Sequence, residues 1–176
     1  MTTSTTHSFD YGRLAYDRTE IADTLYCFAL GLDLGDADLL ASSLTEDVVF
    51  DFTPAASKVG RAFPVLSSRD VVVKTIIAAL GPLDTSHTAS NIRITVNGDS
   101  ATLKAYVMAQ HFMPGEGPRP DRTNHALFMN RYDADLVRDA DTWRISRLTI
   151  DNAWFEGDPA MLQAYQSHTE RPNVSP

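Results

Sequence analysis

Apolar side chains in the N-terminal part of the chain recur every three or four residues, which is the spacing of one buried helix face. The buried face of this first helix is formed by Ile21, Leu25, Phe28 and Leu32. Asp17, which a glutamate follows three residues later, predicts the start of the helix, and Gly35 predicts its end. The same spacing predicts two shorter helices, one at residues 36–44 and one from Ser67 or Ser68 to about Leu80.

The second half of the chain alternates between apolar and polar positions, which is the pattern of strands with one buried face. Asn97-Gly98 predicts a tight hairpin turn between two of these strands. Strands are predicted at residues 48–52, 87–97, 101–113, 124–137 and 142–155, loops at 53–67 and 114–122, and a last helix from Asp158. We therefore predict an α+β fold, in which a cone-shaped, curved antiparallel sheet wraps around the N-terminal helices and encloses a pocket.

The length of 176 residues favours one folded domain with its own core. We expect a flexible leader at residues 1–16, a single domain at 17–167 and a flexible tail at 168–176. The formal net charge of −8 argues against nucleic acid or an anionic membrane as a partner, because both attract basic surfaces. The acidic balance says little about a neutral small-molecule substrate.

Cys27 is the single cysteine of the chain, so no intramolecular disulfide is expected. The N-terminal residues lack the basic and apolar segments of a signal peptide. No stretch approaches the roughly 20 apolar residues of a membrane-spanning helix. These features together predict a cytoplasmic location.

Asp33 and His87 are the candidate catalytic residues. Asp33 lies at the end of the first helix, where a negative charge opposes the helix dipole and needs a specific reason. His87 begins a predicted strand. An imidazole that a carboxylate orients is a common general base near neutral pH. If the fold brings the two together in a pocket, they can remove a proton from a small substrate without a cofactor.

Several short segments match one known family in the same order along the chain. They are Asp17–Asp23, Gly31–Asp33, Leu44–Phe50, His87–Asn91, Asn97–Ala101, Tyr132–Arg138, Trp143–Ile145 and Trp154–Asp158. Over roughly residues 15–160 the chain thereby resembles the SnoaL-like branch of the NTF2-like superfamily. Within that branch it resembles the scytalone dehydratases and the hexachlorocyclohexane dehydrochlorinases, which are cofactor-free lyases with a His–Asp dyad.

The resemblance implies that Asp33 and His87 form such a dyad. Other positions depart from the family pattern. Phe28 stands where the dehydrochlorinases have a basic residue, and Leu32 stands where the scytalone dehydratases have a tyrosine. A second pocket tyrosine of the scytalone dehydratases falls near Phe52. The dyad therefore carries over, whereas the groups that polarise the substrate do not.

The predicted substrate-binding residues are Tyr26, Phe50, Phe52, Asn91, His125, Phe128 and Trp154. Tyr26 shares a helix face with Asp33, and Asn91 shares a strand face with His87 because alternate strand residues point the same way. His125 is comparable to a second pocket histidine of the scytalone dehydratases. Trp154 is a candidate cap for the mouth of the pocket.

Two histidines, His111 and His125, flank the predicted loop at 114–122. With Asp121 or Glu116 they could form a metal site, but their spacing matches no known ligand pattern. No metal or other cofactor is therefore predicted. Whether His111 or His125 reaches the pocket stays open at this point.

The predicted function is that of a cofactor-free acid–base lyase or isomerase, acting on a small, mostly apolar cyclic or polyketide-like substrate through Asp33 and His87. Two alternatives stay open: a non-catalytic small-molecule-binding protein of the same fold, and the small subunit of a ring-hydroxylating dioxygenase. A homo-oligomer is expected, because the sheet has one face away from the helices that needs cover, and the resemblance implies a homodimer or homotrimer.

Overall fold

The computed structural model describes residues 10–119, 121 and 124–160, in which it contains four helices and six strands. The helices are α1 (Tyr11–Leu34), α2 (Ala37–Ser42), α3 (Thr53–Lys58) and α4 (Arg69–Leu80). The strands are β1 (Leu44–Asp51), β2 (Leu66–Ser67), β3 (Asp84–Asn97), β4 (Ser100–Phe112), β5 (Ala126–Asp139) and β6 (Thr142–Gly157). The predicted tail and the end of the predicted domain lie outside the described residues.

The six strands form one curved, unclosed sheet in the order β2-β1-β6-β5-β4-β3. Strands β3 to β6 are antiparallel neighbours, as the alternating pattern predicted. Strand β1 instead runs parallel to β6, so the sheet is mixed rather than wholly antiparallel. A parallel pair needs a long crossover, and the whole chain between β1 and β6 supplies it. The prediction of an α+β fold with a curved sheet is confirmed.

Helix α1 begins at Tyr11, earlier than the sequence pattern predicted. Asp10 is its N-cap, and one oxygen of this carboxylate accepts a hydrogen bond of 2.9 Å from the backbone N–H of Arg13. The predicted start at Asp17 is therefore wrong, and residues 11–16 of the predicted leader are helical. Residues 1–9 of that leader lie outside the described residues.

Asp17 is buried in the middle of α1 and has a structural role there. Its two carboxylate oxygens each accept a hydrogen bond of 2.9 Å from the guanidinium of Arg138, and one also accepts from the indole N–H of Trp143 at 3.3 Å. The hydrogen bond with Arg138 outweighs the effect of burial and lowers the pKa of Asp17 to about 2. The ion pair with Arg138 links α1 to the end of β5, and the hydrogen bond from Trp143 links α1 to the start of β6.

The end of α1 holds Asp33 in place. Gly35 adopts a left-handed conformation with a φ of 62°, and the backbone N–H of Asp36 donates to the carbonyl of Gly31 at 2.9 Å. This is the helix-ending motif that the glycine predicted. A side chain at Gly31 would lie 2.7 Å from the backbone nitrogen of Leu40 in α2, so the two helices can approach only because residue 31 is glycine.

Helix α3 occupies part of the segment that the sequence predicted to be a loop. Pro54 lies in its first turn, where the missing N–H of proline costs no helical hydrogen bond. The predicted loop at 53–67 is therefore wrong for residues 53–58, which are helical. The segment from α3 to Phe63 covers one side of a cavity, as described below.

The hydrophobic core lies where the helices pack on the sheet. The predicted apolar face of α1 is fully buried: Ile21, Leu25, Phe28 and Leu32 are at most 3% exposed. Helix α1 contacts both β3 and β6, so its C-terminal end is fixed beside the start of β3.

None of the helices in residues 10–119, 121 and 124–160 has the length and apolar character that a membrane span requires.

Candidate active site

A cavity of about 270 Å³ lies between the helices and the concave sheet. Three predicted substrate-binding phenylalanines, Phe50, Phe52 and Phe128, line it. Phe50 and Phe52 also contact the ring of Phe63, with ring centroids 6.4 and 5.5 Å away. The wall is therefore mostly apolar, and its polar side chains are few: Arg61, Thr75, His87, His111, Asn130 and Tyr132.

Asp33 and His87 are brought together, and His87 lines this cavity. The Nδ1 atom of the His87 ring lies 2.6 Å from Oδ1 of Asp33. The backbone N–H of His87 donates to Oδ2 of Asp33 at 2.9 Å, and the hydroxyl of Thr85 donates to Oδ1 at 2.8 Å. Three donors from the first residues of β3 thus hold the carboxylate at the end of α1, which explains why an acidic residue occupies this helix terminus.

The Asp33 carboxyl stays ionised because these donors stabilise its charge. Burial alone raises its pKa, but the hydrogen bonds from the ring and backbone of His87, the charge of His87 and the Thr85 hydroxyl outweigh burial. The pKa of Asp33 therefore lies below its ordinary value. An ionised carboxylate can only accept hydrogen bonds, so it selects the tautomer of neutral His87 with its proton on Nδ1.

The second ring nitrogen of His87, Nε2, is the one available to a molecule bound in the cavity. The His87 side chain is 3% exposed and lines the cavity. With Nδ1 bonded to Asp33, the lone pair of the neutral ring is on Nε2, which makes no hydrogen bond to the described residues. A nitrogen with a free lone pair in a mostly apolar site is chemically able to accept a proton from a molecule in the cavity.

His111, on the neighbouring strand β4, is the second histidine of the cavity. Its ring centroid lies 5.6 Å from that of His87 in an edge-to-face contact, and its Nδ1 lies 3.2 Å from the carbonyl oxygen of Ala126. Burial, followed by the charge of His87, lowers the pKa of His111 from 6.5 to about 4. Because the carbonyl of Ala126 can only accept, Nδ1 of neutral His111 carries the proton.

We expect His111 to make the folded protein less stable in mild acid. Between pH 6.5 and about 4 the histidine of the unfolded chain binds a proton that folded His111 does not bind, so a fall in pH favours unfolding. The expected loss is about 3 kcal/mol of unfolding free energy. Urea unfolding of the wild type and of His111→Gln across this range measures it. A variant that keeps the full pH slope of the wild type would contradict the prediction.

Two further cavity residues, Asn130 and Tyr132, were missed by the sequence prediction. The side-chain NH2 of Asn152 donates to the carbonyls of Met129 and Trp154 and to Oδ1 of Asn130, at 3.0 to 3.4 Å. Since those carbonyls can only accept, the orientations of both amides are fixed. The oxygen of Asn130 is thus occupied by Asn152, and its NH2 remains as a donor for a cavity ligand.

Tyr132 lies two residues further along β5 and is 4% exposed. Burial, and then the nearby charge of Asp33, raise the pKa of its phenol, so the hydroxyl keeps its proton. This hydroxyl makes no hydrogen bond to another described residue. The signal for both residues was present in the sequence, because Phe128, Asn130 and Tyr132 alternate along one strand face.

Two predicted substrate-binding residues, Tyr26 and Asn91, lie away from this cavity. Tyr26 is 48% exposed and lines a separate surface groove with Ile92 of β3. Asn91 is exposed because β3 has a bulge between Ser90 and Arg93, where Asn91 takes a φ of 52°. A bulge inserts one residue and reverses the alternation, so Asn91 no longer shares the face of His87.

Two further predicted substrate-binding residues, His125 and Trp154, lie off the inner face of the sheet. The inward positions of β5 are even-numbered, as the buried residues Ala126 and Phe128 show, so His125 is off the inner face and its ring contacts Phe112. Trp154 pairs with the outward Met129 across a register shift in β6 and is 47% exposed. The second pocket histidine is therefore His111 and not His125.

The alternative metal site at the two histidines finds no support in this geometry. Within the described part of the chain, no group of three or more His, Cys, Asp or Glu side chains is placed to hold a metal ion. His111 lines the cavity, whereas the ring of His125 contacts Phe112 and lies off the inner face of the sheet. The two histidines therefore do not share one site.

Among known families, the model of the SnoaL-like domain matches the chain over residues 13–149. No curated protein matches the chain. Among solved structures, the Kfla4162 protein from Kribbella flavida superposes with a TM-score of 0.72 at 26% identity, over 86% of this chain and 99% of the other.

Two enzyme-like neighbours share the fold at lower identity. A scytalone dehydratase-like protein from Novosphingobium aromaticivorans has a TM-score of 0.69 at 19% identity, covering 84% of this chain and 91% of its own. A type 2 hexachlorocyclohexane dehydrochlorinase has a TM-score of 0.67 at 20% identity, covering 84% of this chain and 92% of its own. Both are NTF2-like proteins, and at these identities the likeness concerns the fold alone.

Proposed function

This chain belongs to the SnoaL-like domain family, and we propose that it is a cofactor-free acid–base lyase or isomerase of small, mostly apolar cyclic or polyketide-like molecules. The observation that carries the proposal is the 2.6 Å contact between Nδ1 of His87 and Asp33 at the wall of a mostly apolar cavity. Family membership alone does not select a reaction, since one fold hosts many chemistries. The argument therefore rests on the side chains of the cavity.

The first step of the proposed reaction is removal of a proton from a carbon next to a substrate carbonyl. His87 Nε2 takes this proton, and the electron pair of the broken C–H bond moves into the carbonyl to give an enolate. Asp33 stabilises the imidazolium that forms and keeps its ring oriented.

The enolate oxygen needs hydrogen-bond donors, and the cavity offers two. The hydroxyl of Tyr132 and the NH2 of Asn130 are neutral donors that line it, and each is free of other described acceptors. Donors fixed before the reaction stabilise developing negative charge without reorganisation. These two residues would take the place of the polarising groups that the sequence comparison did not find.

The second step decides the reaction class. If a hydroxyl leaves the neighbouring carbon, the enolate electrons form a C=C bond, the imidazolium of His87 returns its proton to the departing oxygen, and water is released. If the substrate instead has a C=C bond β,γ to the carbonyl, loss of the proton gives a dienolate, and return of the proton from His87 to its γ-carbon gives an isomer. His111 does not supply that proton, because its Nδ1–H is bonded to the carbonyl of Ala126.

The test is proton exchange and elimination with a panel of cyclic β-hydroxy ketones in deuterated buffer, followed by NMR. The wild type should accelerate deuterium incorporation or loss of water for at least one compound, and His87→Gln should not. If compounds bind without exchange above the buffer rate, the chain is a binding protein and the proposal fails.

A further inference from the structure

Arg61 is the one charged side chain among the described residues that line the cavity. It follows α3 directly, and its backbone N–H donates to the carbonyl of Ala56 at 2.9 Å, which fixes the loop at this point. Gly60 takes a φ of 73°, which reverses the chain and leads residues 61–63 back along the cavity wall. The position of Arg61 is thus set by backbone geometry and not by a partner for its charge.

The guanidinium of Arg61 forms neither an ion pair nor a side-chain hydrogen bond with the described residues. Its neighbour Lys58 differs in this respect, because the Lys58 ammonium is paired with Asp151 at 2.5 Å and also donates to the carbonyl of Asn152. Lys58 therefore fastens α3 to β6, whereas Arg61 is left with five N–H donors beside a mostly apolar wall. A cation in such a place gains most from an acceptor that a ligand supplies.

In the part of the chain that the structure describes, no other charged group near the cavity neutralises Arg61 or attracts an anion in its place. No aspartate or glutamate is among the described lining residues, and the carboxylate of Asp33 lies behind the ring of His87, to which it is bonded. The whole chain carries a formal net charge of −8, so its general field repels anions. Attraction of an anion into this cavity has to come from a local cation, and Arg61 supplies one.

We propose that Arg61 selects substrates that carry a carboxylate, by a charge-assisted hydrogen-bond pair between guanidinium and carboxylate. A planar guanidinium matches a carboxylate with two parallel hydrogen bonds, and such bonds are stronger than those between neutral groups. The substrate class is then a small cyclic acid that also bears the reacting C–H group. This inference rests on the proposed function, which makes the cavity the substrate site.

The cavity volume agrees with a small molecule of this kind. At about 270 Å³ it lies just below the usual range for ligand pockets, which begins near 300 Å³. Arg61 lies on the helical side of the cavity, and His87 and Tyr132 lie on the sheet side. A ring between the two sides can place its carboxylate and its reacting carbon toward different residues.

The test compares binding of matched acids and amides by calorimetry. The probes are benzoate against benzamide, and cyclohex-1-enecarboxylate against its amide, with the wild type, Arg61→Gln and Arg93→Gln at one ionic strength. Arg93→Gln removes the same charge from an exposed position of β3 outside the cavity. We expect the wild type and Arg93→Gln to prefer each acid over its amide by about tenfold or more, the size of a charge-assisted hydrogen bond.

In Arg61→Gln this preference should disappear while the affinity for the amides is unchanged, which also shows that the variant is folded. Equal affinity of the wild type for acid and amide would overturn the inference, as would an equal loss of preference in Arg61→Gln and Arg93→Gln. Deuterium exchange measured on 4-oxocyclohexanecarboxylate, which carries a carboxylate and also C–H groups next to a ketone, separates the two proposals. An intact preference without any exchange would contradict the proposed function and leave the role of Arg61 standing.

Discussion

Replacement of His87 by glutamine should lower kcat/KM of the elimination or exchange reaction by about 10²- to 10⁴-fold, the contribution of a positioned general base. Glutamine keeps a polar side chain beside Asp33 but has no ring nitrogen with a free lone pair to take the proton. The wall of the cavity is otherwise unchanged, so binding of the neutral amide probes should persist. Steady-state kinetics on the compound found in the exchange screen measures the effect.

His125→Gln is the matched control for this change. It makes the same substitution at a histidine that contacts Phe112 and does not line the cavity. Its kcat/KM should stay within about twofold of the wild type, as for a surface change away from the site. Equal losses in the two variants, or a His87→Gln protein as active as the wild type, would remove His87 from its proposed role.

Replacement of Asp33 by asparagine should cost about as much, in the range of 10²- to 10⁴-fold in kcat/KM. The backbone N–H of His87 and the hydroxyl of Thr85 both donate to the carboxylate, one to each oxygen. An amide has a single acceptor oxygen, and if that oxygen accepts from the backbone, its NH2 faces Nδ1 of His87. The ring must then accept at Nδ1 and carry its proton on Nε2, where the base should be.

Asp36→Asn is the control that removes one negative charge three residues away. Asp36 is the N-cap of α2, where its side chain accepts from the N–H of Leu39 at 2.9 Å. Asparagine caps a helix as well as aspartate does, so stability and kcat/KM should both be close to the wild type. A loss in Asp36→Asn as large as that in Asp33→Asn would point to general electrostatics and not to the dyad.

The parts of the fold that depend on local chemistry were predictable from the sequence. The apolar spacing of α1, its glycine end and the Asn97-Gly98 turn each have a local cause, and each appears where predicted. The start of α1 was not predictable in this way, because Asp17 has the spacing of a capping box. Its carboxylate is used instead by Arg138, which lies 121 residues away in the sequence.

Candidate-site residues were predictable from the sequence where inward and outward positions alternate along a strand without interruption. His111 continues the buried odd-numbered positions of β4, and Asn130 and Tyr132 continue the even-numbered positions of β5. Alternation fails at Asn91 and Trp154, since bulges in β3 and β6 reverse it. A bulge depends on how two strands pair, and the sequence of one strand alone does not reveal that.

The contact between Asp33 and His87 required the tertiary structure. The two residues are 54 positions apart, and their meeting depends on α1 ending beside the start of β3. The resemblance to a family implied the pair, whereas residue spacing showed only two candidates of the right chemical type. The structure adds the donors of Thr85 and of the His87 backbone, which explain why the carboxylate is stable there.

The most direct test of the account is the tautomer of the neutral His87 ring, which ¹⁵N NMR of the ring nitrogens reads out. Because Nδ1 lies 2.6 Å from the ionised Asp33, the native protein should carry the proton on Nδ1 and leave Nε2 bare. In Asp33→Asn the proton should move to Nε2. A native ring with its proton on Nε2 would contradict the claim that Asp33 presents His87 to the cavity as a base.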